Sequence, residues 1–386
     1  MINNPISVFM HPRTFWNWKF SGVSRYVCEL AEELIQAGVD VHIPIKETHN
    51  EYLKGSTFYH KTSSEVYPAN ISIRIIRKLL SLTPLKEKAR RAELRSQALN
   101  FLRSNQFSLI HPTHTNATEI LPYVGKTPLV ITVHDMTHEL FPESFATHDP
   151  SSERKRLFAQ RADRIIAISE CTKNDLVQLF DINPEKIDVI HHGNSLKLPK
   201  GHESIPMNLP ERYVLFVGKR SGYKNFETFA KAFAISSKQD DSLHLICAGG
   251  GAFTEKETAF LEHLGIQTKT HQMWVTDEEL AILYNRSLCF IYPSEYEGFG
   301  LPILEAFECG APVLCAHASC FPEVAGNGAL FFDPKDIQEM AALMQKVISS
   351  STLRTDLLKA GSLRLKDFSW KKCAQQTLRT YKTVLQ

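Results

Sequence analysis

The chain has 386 residues, 43% of them apolar, and 44 basic against 42 acidic side chains give it a formal net charge of +2. That length exceeds one ordinary core and predicts about two to three domains. The near-neutral balance gives no global reason to expect nucleic acid as a partner, which would show as a basic domain. The eight cysteines, Cys28, Cys171, Cys247, Cys289, Cys309, Cys315, Cys320 and Cys373, are scattered without a Cys-x-x-Cys unit. Reduced thiols in a cytoplasmic protein, and no metal site, are the expectation. Residues 1–9 carry no basic segment followed by a long apolar run. No apolar stretch approaches the roughly 18 residues that a spanning helix needs, so neither a secretory leader nor an integral membrane segment is expected.

In chain order, strand-like apolar runs alternate with helix-like periodic segments at 6–10, 23–37, 41–44, 109–111, 129–133, 165–168 and 172–180. A polar stretch bearing Pro and Gly follows, and the alternation resumes at 213–217, 226–236, 244–248, 278–284, 288–292, 301–309 and 313–316. Such alternation predicts α/β architecture with parallel sheets, here two doubly wound, Rossmann-like domains with a cleft between them. The expected boundaries are 1–196 for the first domain, 197–212 for a linker and 213–367 for the second. A last amphipathic helix opens at Phe368-Ser369-Trp370. In open parallel sheets ligands bind at the carboxyl ends of strands, and the segments singled out below mostly follow strands.

The most informative stretch is Glu297-Gly298-Phe299-Gly300-Leu301-Pro302-Ile303-Leu304-Glu305. Its glycines let backbone approach a ligand closely. Pro302 suits a first helical turn, and the free N–H groups there favour an anion. Glu297 in the loop and Glu305 in the helix would hold neutral hydroxyls on either side of a phosphate, one carboxylate for a sugar and the other for a ribose. With Ser294-Glu295-Tyr296 before it and Ala306-Phe307-Glu308-Cys309-Gly310-Ala311-Pro312-Val313 after it, the stretch resembles the carboxylate-pair motif of glycosyltransferase family 4. The resemblance implies a GT-B fold whose C-terminal helix, 368–386, crosses back onto the N-terminal domain. It also implies retaining, metal-independent transfer from a nucleotide sugar, with acceptor handling in the first domain and donor handling in the second.

Further segments agree with that resemblance. Gly218-Lys219-Arg220-Ser221-Gly222-Tyr223-Lys224 puts three cations on a glycine loop after a strand. A departing diphosphate must be neutralised by a metal or by fixed cations, and no Asp-x-Asp pair occurs. The family grips the diphosphate with an Arg after this glycine and a Lys five residues on. Lys219 and Lys224 have the spacing, and Arg220 stands beside them, so either Lys219 or Arg220 takes the first role. His134, at the tip of a strand, corresponds to a family His near the donor sugar, a positioning group and not a base; a capping His is the alternative. Gly22, in Ser21-Gly22-Val23-Ser24-Arg25-Tyr26, matches the first glycine loop, with Arg25 either orienting it or lying on a helix surface. Ala248-Gly249-Gly250-Gly251 and the backbone of Trp274 and Val275 match segments that shape the donor pocket. Thr276 with Glu279 reads more simply as a capping box.

Arg13-Thr14-Phe15-Trp16-Asn17-Trp18-Lys19-Phe20 carries four aromatic rings on one loop, a candidate acceptor platform or else a seal over the core. Arg13, Trp16, Trp18, Arg25 and His114 are the acceptor-side candidates. His111, His191 and His192 read as cleft or surface histidines. Between 71 and 103, Arg74, Arg77, Lys78, Lys86, Lys88, Arg90, Arg91, Arg95 and Arg103 meet only Glu87 and Glu93, with apolar residues including Ile73, Ile75, Ile76, Leu79, Leu80 and Leu82 among them. Amphipathic helices touching an anionic membrane surface, or a solvated helix face, both fit that pattern. The wording of residues 222–226 is similar to that of bacterial mannosyl- and rhamnosyltransferases of surface polysaccharides such as O-antigen. A donor of GDP-mannose, a glycan or lipid-linked glycan acceptor and no cofactor are the resulting expectations. The alternatives are an inactive GT-B scaffold subunit or a nucleotide-sugar epimerase. A nicotinamide dehydrogenase fails because Gly-x-Gly-x-x-Gly does not follow the first strand.

Overall fold

The computed structural model describes residues 5–64, 71–80 and 83–386, apart from the side chains of Arg74 and Arg77. Two compact units result. The first holds the described residues up to Leu140 with Ala146–His192 and Trp370–Gln386; the second holds Phe141–Phe145 and Gly193–Ser369.

In the first unit, strands β1 (Ser7–Phe9), β2 (Asp40–His42) and β3 (Leu109–Ile110) pair in parallel in the order β2-β1-β3. Strands β4 (Val130–Val133), β5 (Arg164–Ala167) and β6 (Ile187–Val189) pair in the order β4-β5-β6. A parallel bridge from Ile110 to Leu129 joins the two runs. β4 is buried at every position, as a parallel strand covered on both faces must be, and its Val-Ile-Thr-Val run is the composition that suits it. The Gly22–Gln36 helix starts in a capping box, with Ser21 Oγ accepting from Ser24 N at 3.0 Å and Ser24 Oγ accepting from Ser21 N at 3.1 Å. Its buried Tyr26, Val27 and Leu30 share one core with Trp370, Cys373 and Tyr381 of the Trp370–Val384 helix. The chain therefore ends by completing the core of the unit with which it begins.

The second unit is built on β7 (Tyr213–Val217), β8 (His244–Ala248), β9 (Thr270–Met273), β10 (Cys289–Tyr292), β11 (Val313–Ala316) and β12 (Ala329–Phe332). All pairings are parallel, in the order β12-β11-β10-β7-β8-β9. The Phe226–Gln239 helix lays Phe226 and Phe229 against Phe216 of β7, with ring centroids 5.2 and 5.9 Å away. β7 and β10 are neighbours at the point where strand order reverses, and the crevice at such a point takes ligands in doubly wound sheets. The loops that leave these two strands, 218–225 and 293–300, are those the sequence singles out. Residues 197–212 contain a short 3-10 turn, His202–Ser204, whose backbone carbonyls accept from Arg286.

Candidate functional site

The loop after β7 turns at Gly218, whose φ of +118° is outside the range of ordinary L residues. It lies against the Gly249-Gly250-Gly251 turn after β8 so closely that a Cβ on Gly250 would fall 2.6 Å from the Gly218 carbonyl oxygen. Arg220 locks the two turns together. Its Nε donates to Glu257 at 2.8 Å, its terminal nitrogens donate to the carbonyls of Gly249, Gly251 and Ala252, and its guanidinium lies over Phe253. Only 1% of that side chain is exposed. The guanidinium is bonded into the scaffold of the two turns, contacts that the sequence did not show. Lys219, next to it, is exposed.

Lys224 reaches from the same loop to the loop after β10, where its Nζ stands 2.5 Å from Glu297 Oε1. Both are mostly shielded, with 18% and 15% of the side chains exposed. Asn225, in left-handed backbone at φ +56°, donates through Nδ2 to the carbonyls of Pro293 and Pro334. Glu295 N donates to the Tyr223 carbonyl at 2.8 Å. The loops are thus pinned at three successive residues, which sets the Lys224–Glu297 pair. Gly298 and Phe299 are buried, and Gly300, at φ +92°, caps the Leu301–Cys309 helix. Glu305 is buried within it and its Oε2 accepts from the Tyr284 hydroxyl at 3.3 Å. Trp274 is 74% exposed and stands beside Gly251, with Val275 half-buried after it. Thr276 and Glu279 form the capping box, the backbone N of each bonding to the other's side chain.

In the first unit Gly22 is exposed at the first position of its helix. His134 follows β4 and its Nε2 lies 2.9 Å from the Thr113 carbonyl oxygen. Because a carbonyl only accepts, Nε2 carries the hydrogen and Nδ1 presents its lone pair. Burial holds the imidazole pKa below its ordinary value, so the ring is neutral at pH 7. The Tyr26 ring meets it edge-on at 5.1 Å. His114 accepts from Asn116 N through Nδ1, and burial, aided by neighbouring His134, lowers its pKa to about 4.

Several acceptor-side expectations need correction. Phe15 and Trp16 are core residues, whereas Trp18 and Phe20 are 61% and 51% exposed, so the four rings form no single platform. Arg25 is buried and lies over Tyr52, to whose hydroxyl it donates at 2.5 Å, instead of lying on the helix surface. Arg13 is not among those corrected: it is half-buried and pairs with Glu119 at 3.4 Å. His111 and His192 are interior residues; His111 bridges Tyr381 and Thr132 at 2.6 and 2.8 Å. Leu82 and the side chains of Arg74 and Arg77 lie outside the described residues.

Residues 20–197 match the model of Glycosyltransferase Family 4, and residues 199–364 match that of glycosyl transferases group 1. The chain belongs to glycosyltransferase family 4. This glycosyltransferase is 28% identical over 276 residues to the O-antigen chain mannosyltransferase B of Escherichia coli, an alignment covering 66% of the chain and 70% of that relative. It is 29% identical over 221 residues to the O-antigen chain mannosyltransferase RfbU of Salmonella typhimurium, covering 56% of the chain and 60% of RfbU. With the MMP alpha-(1->4)-mannosyltransferase of Mycolicibacterium hassiacum it shares 26% over 396 residues, 94% of the chain and 95% of the relative. Among solved structures, Anabaena HepE in complex with UDP and glucose superposes with a TM-score of 0.73 at 19% identity, over 98% of this chain and 100% of HepE. Sucrose-phosphate synthase from Thermosynechococcus elongatus gives 0.69 at 18% identity, over 98% of each. The fold is GT-B.

The glycosyltransferase also uses residues to which the sequence drew no attention. Asn225 and Tyr284 support Lys224 and Glu305 in the ways described, and Ser319, at φ +46°, accepts from Glu297 N at 3.1 Å. Asn225 closes the Gly-Tyr-Lys-Asn run, where a left-handed Asn before a helix was a readable signal. Ser319 and Tyr284 reach their partners from elsewhere in the chain, and no local pattern marks them.

Proposed function

We propose that this glycosyltransferase moves a hexose, mannose from GDP-mannose as first choice, with retention of configuration, to a glycan or lipid-linked glycan acceptor of surface polysaccharide assembly. The observation that carries the reading is the Lys224–Glu297 pair at the reversal point of the second unit's sheet, beside the start of the Leu301–Cys309 helix. Lys219 and Lys224 supply positive charge for the diphosphate, the first helical turn supplies backbone N–H groups, and Glu297 and Glu305 accept from sugar and ribose hydroxyls. His134, neutral with its Nδ1 lone pair available, accepts from a hydroxyl of the donor sugar. The departing phosphate oxygen takes the acceptor proton, so that catalysis rests on positioning and electrostatics without a protein base. In this reading fixed cations supply the countercharge, and the EDTA arm of the test below decides whether a metal takes part. That these relatives are mannosyltransferases supports the sugar.

The Ile71–Leu79 helix exposes Ile71, Ile75, Ile76 and Leu79 beside Lys78, Lys86 and Lys88. We read it as a peripheral contact with an anionic leaflet at the inner face of the cytoplasmic membrane. Among the described residues no helix is long and apolar enough to cross a membrane.

The test is thermal stabilisation by GDP, UDP, ADP, dTDP and CMP, each with and without EDTA. A ligand at a hundred times its dissociation constant adds about 2.7 kcal/mol. A shift with GDP that survives EDTA is expected. A shift with UDP in place of GDP would replace the donor, loss of the shift in EDTA would restore a metal, and no shift with any of them would favour an inactive scaffold. Product formed from donor without acceptor would favour an epimerase.

A further inference from the structure

A cavity of about 550 Å³ opens in the first unit, within the range of small-ligand sites. Along the Lys86–Ser104 helix, Lys88, Arg91, Arg95, Leu99 and Arg103 recur at spacings of three and four and therefore share one face. All of them line the cavity, as do Arg13 and Trp16 from the turn near the start of the chain.

The charge there is one-sided. Of the five cations, Arg13 and Arg95 share a single carboxylate oxygen of Glu119, at 3.4 and 3.6 Å. Among the described residues no carboxylate pairs with Lys88, Arg91 or Arg103; Arg103 lies over the Tyr123 ring, another lining group. Burial, and after it the neighbouring Arg154, Arg95 and Arg91, hold the Arg13 pKa below its ordinary value, with Glu119 acting against them. Trp16 is itself a buried wall residue, and its indole N–H has no hydrogen-bond partner among the described residues. Four guanidinium forks and an ammonium suit phosphate oxygens, which Arg takes two at a time. Ile73, from the helix with the exposed apolar face, lines the same cavity and gives it an apolar exit.

We propose that this cavity binds the phosphate or diphosphate group of an amphiphilic acceptor, whose apolar chain continues over the Ile71–Leu79 helix. The acceptor role rests on the transfer reaction proposed above; the anion site does not. Phosphate recognition in the first unit fixes the acceptor by its charged head, leaving its sugar to be chosen elsewhere in the site.

The test is calorimetric titration of the whole chain with farnesyl diphosphate, farnesol and inorganic pyrophosphate, with a saturating nucleoside diphosphate present to fill the donor site. Farnesyl diphosphate is expected to bind at least tenfold more tightly than farnesol. The double substitution Arg91→Gln with Arg103→Gln is expected to weaken it tenfold or more while nucleoside diphosphate affinity is kept. Lys88→Gln with Arg103→Gln provides a second pair of exposed positions should the first melt early. Pyrophosphate binding as tightly as farnesyl diphosphate would overturn the lipid half and assign the cavity to soluble phosphorylated ligands. Farnesol binding as tightly, or both variants binding unchanged, would overturn the proposal. Failure of the nucleoside diphosphate itself to bind would count against the donor reading and is measured separately.

Discussion

Lys224 Nζ stands 2.5 Å from Glu297 Oε1, across two loops that leave neighbouring strands of the second unit. The pair is 73 residues apart in sequence and is held by backbone and Asn225 contacts on either side, so its geometry is set before any ligand arrives. Each charge makes the other tolerable in a mostly shielded place. A donor that brings a diphosphate and hydroxyls would take over both partners, exchanging one charge-assisted contact for several.

Removing the ammonium should therefore affect transfer more than folding. Lys224→Ala is expected to lower kcat/KM by about 10²- to 10³-fold, the usual cost of one preorganised charge-stabilising donor. Lys224→Arg should restore part of it. Steady-state rates with donor varied would check this, and an alanine variant within a factor of two of the parent would remove Lys224 from the reaction.

Arg220 and Lys219 are expected to separate cleanly. Arg220→Ala strips a buried guanidinium from Glu257 and three carbonyls and should destabilise the second unit by about 3 kcal/mol. Lys219→Ala, at an exposed position, should leave the melting temperature unchanged and weaken nucleoside diphosphate binding. Calorimetry on both variants decides it; equal melting temperatures for the two would show that Arg220 does not hold the glycine turns.

Gly300 should tolerate no side chain. At φ +92°, Gly300→Ala incurs left-handed strain of about 1–2 kcal/mol. Its new Cβ would also meet Phe321 at 3.2 Å and Ile303 at 3.3 Å. The expected outcome is a lower melting temperature together with weaker donor binding, since the turn opens the Leu301–Cys309 helix. A variant as stable as the parent would show that this turn relaxes freely.

What the sequence conveyed follows physical lines. The central strands were legible because burial on both faces makes them continuous apolar runs, as at Val313–Ala316. β6, β9 and β12 were not singled out, and each is the edge of its sheet. An edge strand such as Thr270-His271-Gln272-Met273 meets solvent on one side and needs no apolar run. The two loops that bring Lys224 to Glu297 were readable because glycine turns mark them. The contacts of Arg220 to Glu257 and backbone carbonyls were not legible, because a cation beside such a turn looks the same in sequence whether it binds phosphate or backbone carbonyls. Trp16 and Trp18 are two positions apart, and only the fold shows which is interior.

Stability should rise with pH through the imidazole range, on account of His111. Burial, with neighbouring His134 as the lesser cause, lowers its pKa to about 3 from the ordinary 6.5. The unfolded chain therefore takes up the proton first, and the free energy of unfolding falls as pH drops from 6.5 toward 3. Above pH 7 the ring is neutral in both states and the contribution is complete. Each unit of separation is worth about 1.4 kcal/mol. His11, lowered to about 3, and His114, lowered to about 4, both mainly by burial, act in the same direction. Melting temperatures are expected to be level between pH 7 and 8 and to fall progressively below about 6.5. In His111→Gln the fall should be shallower over the same interval, even though the loss of the contacts to Tyr381 and Thr132 lowers the whole curve. Parallel curves for parent and variant would show that His111 is not the group that titrates.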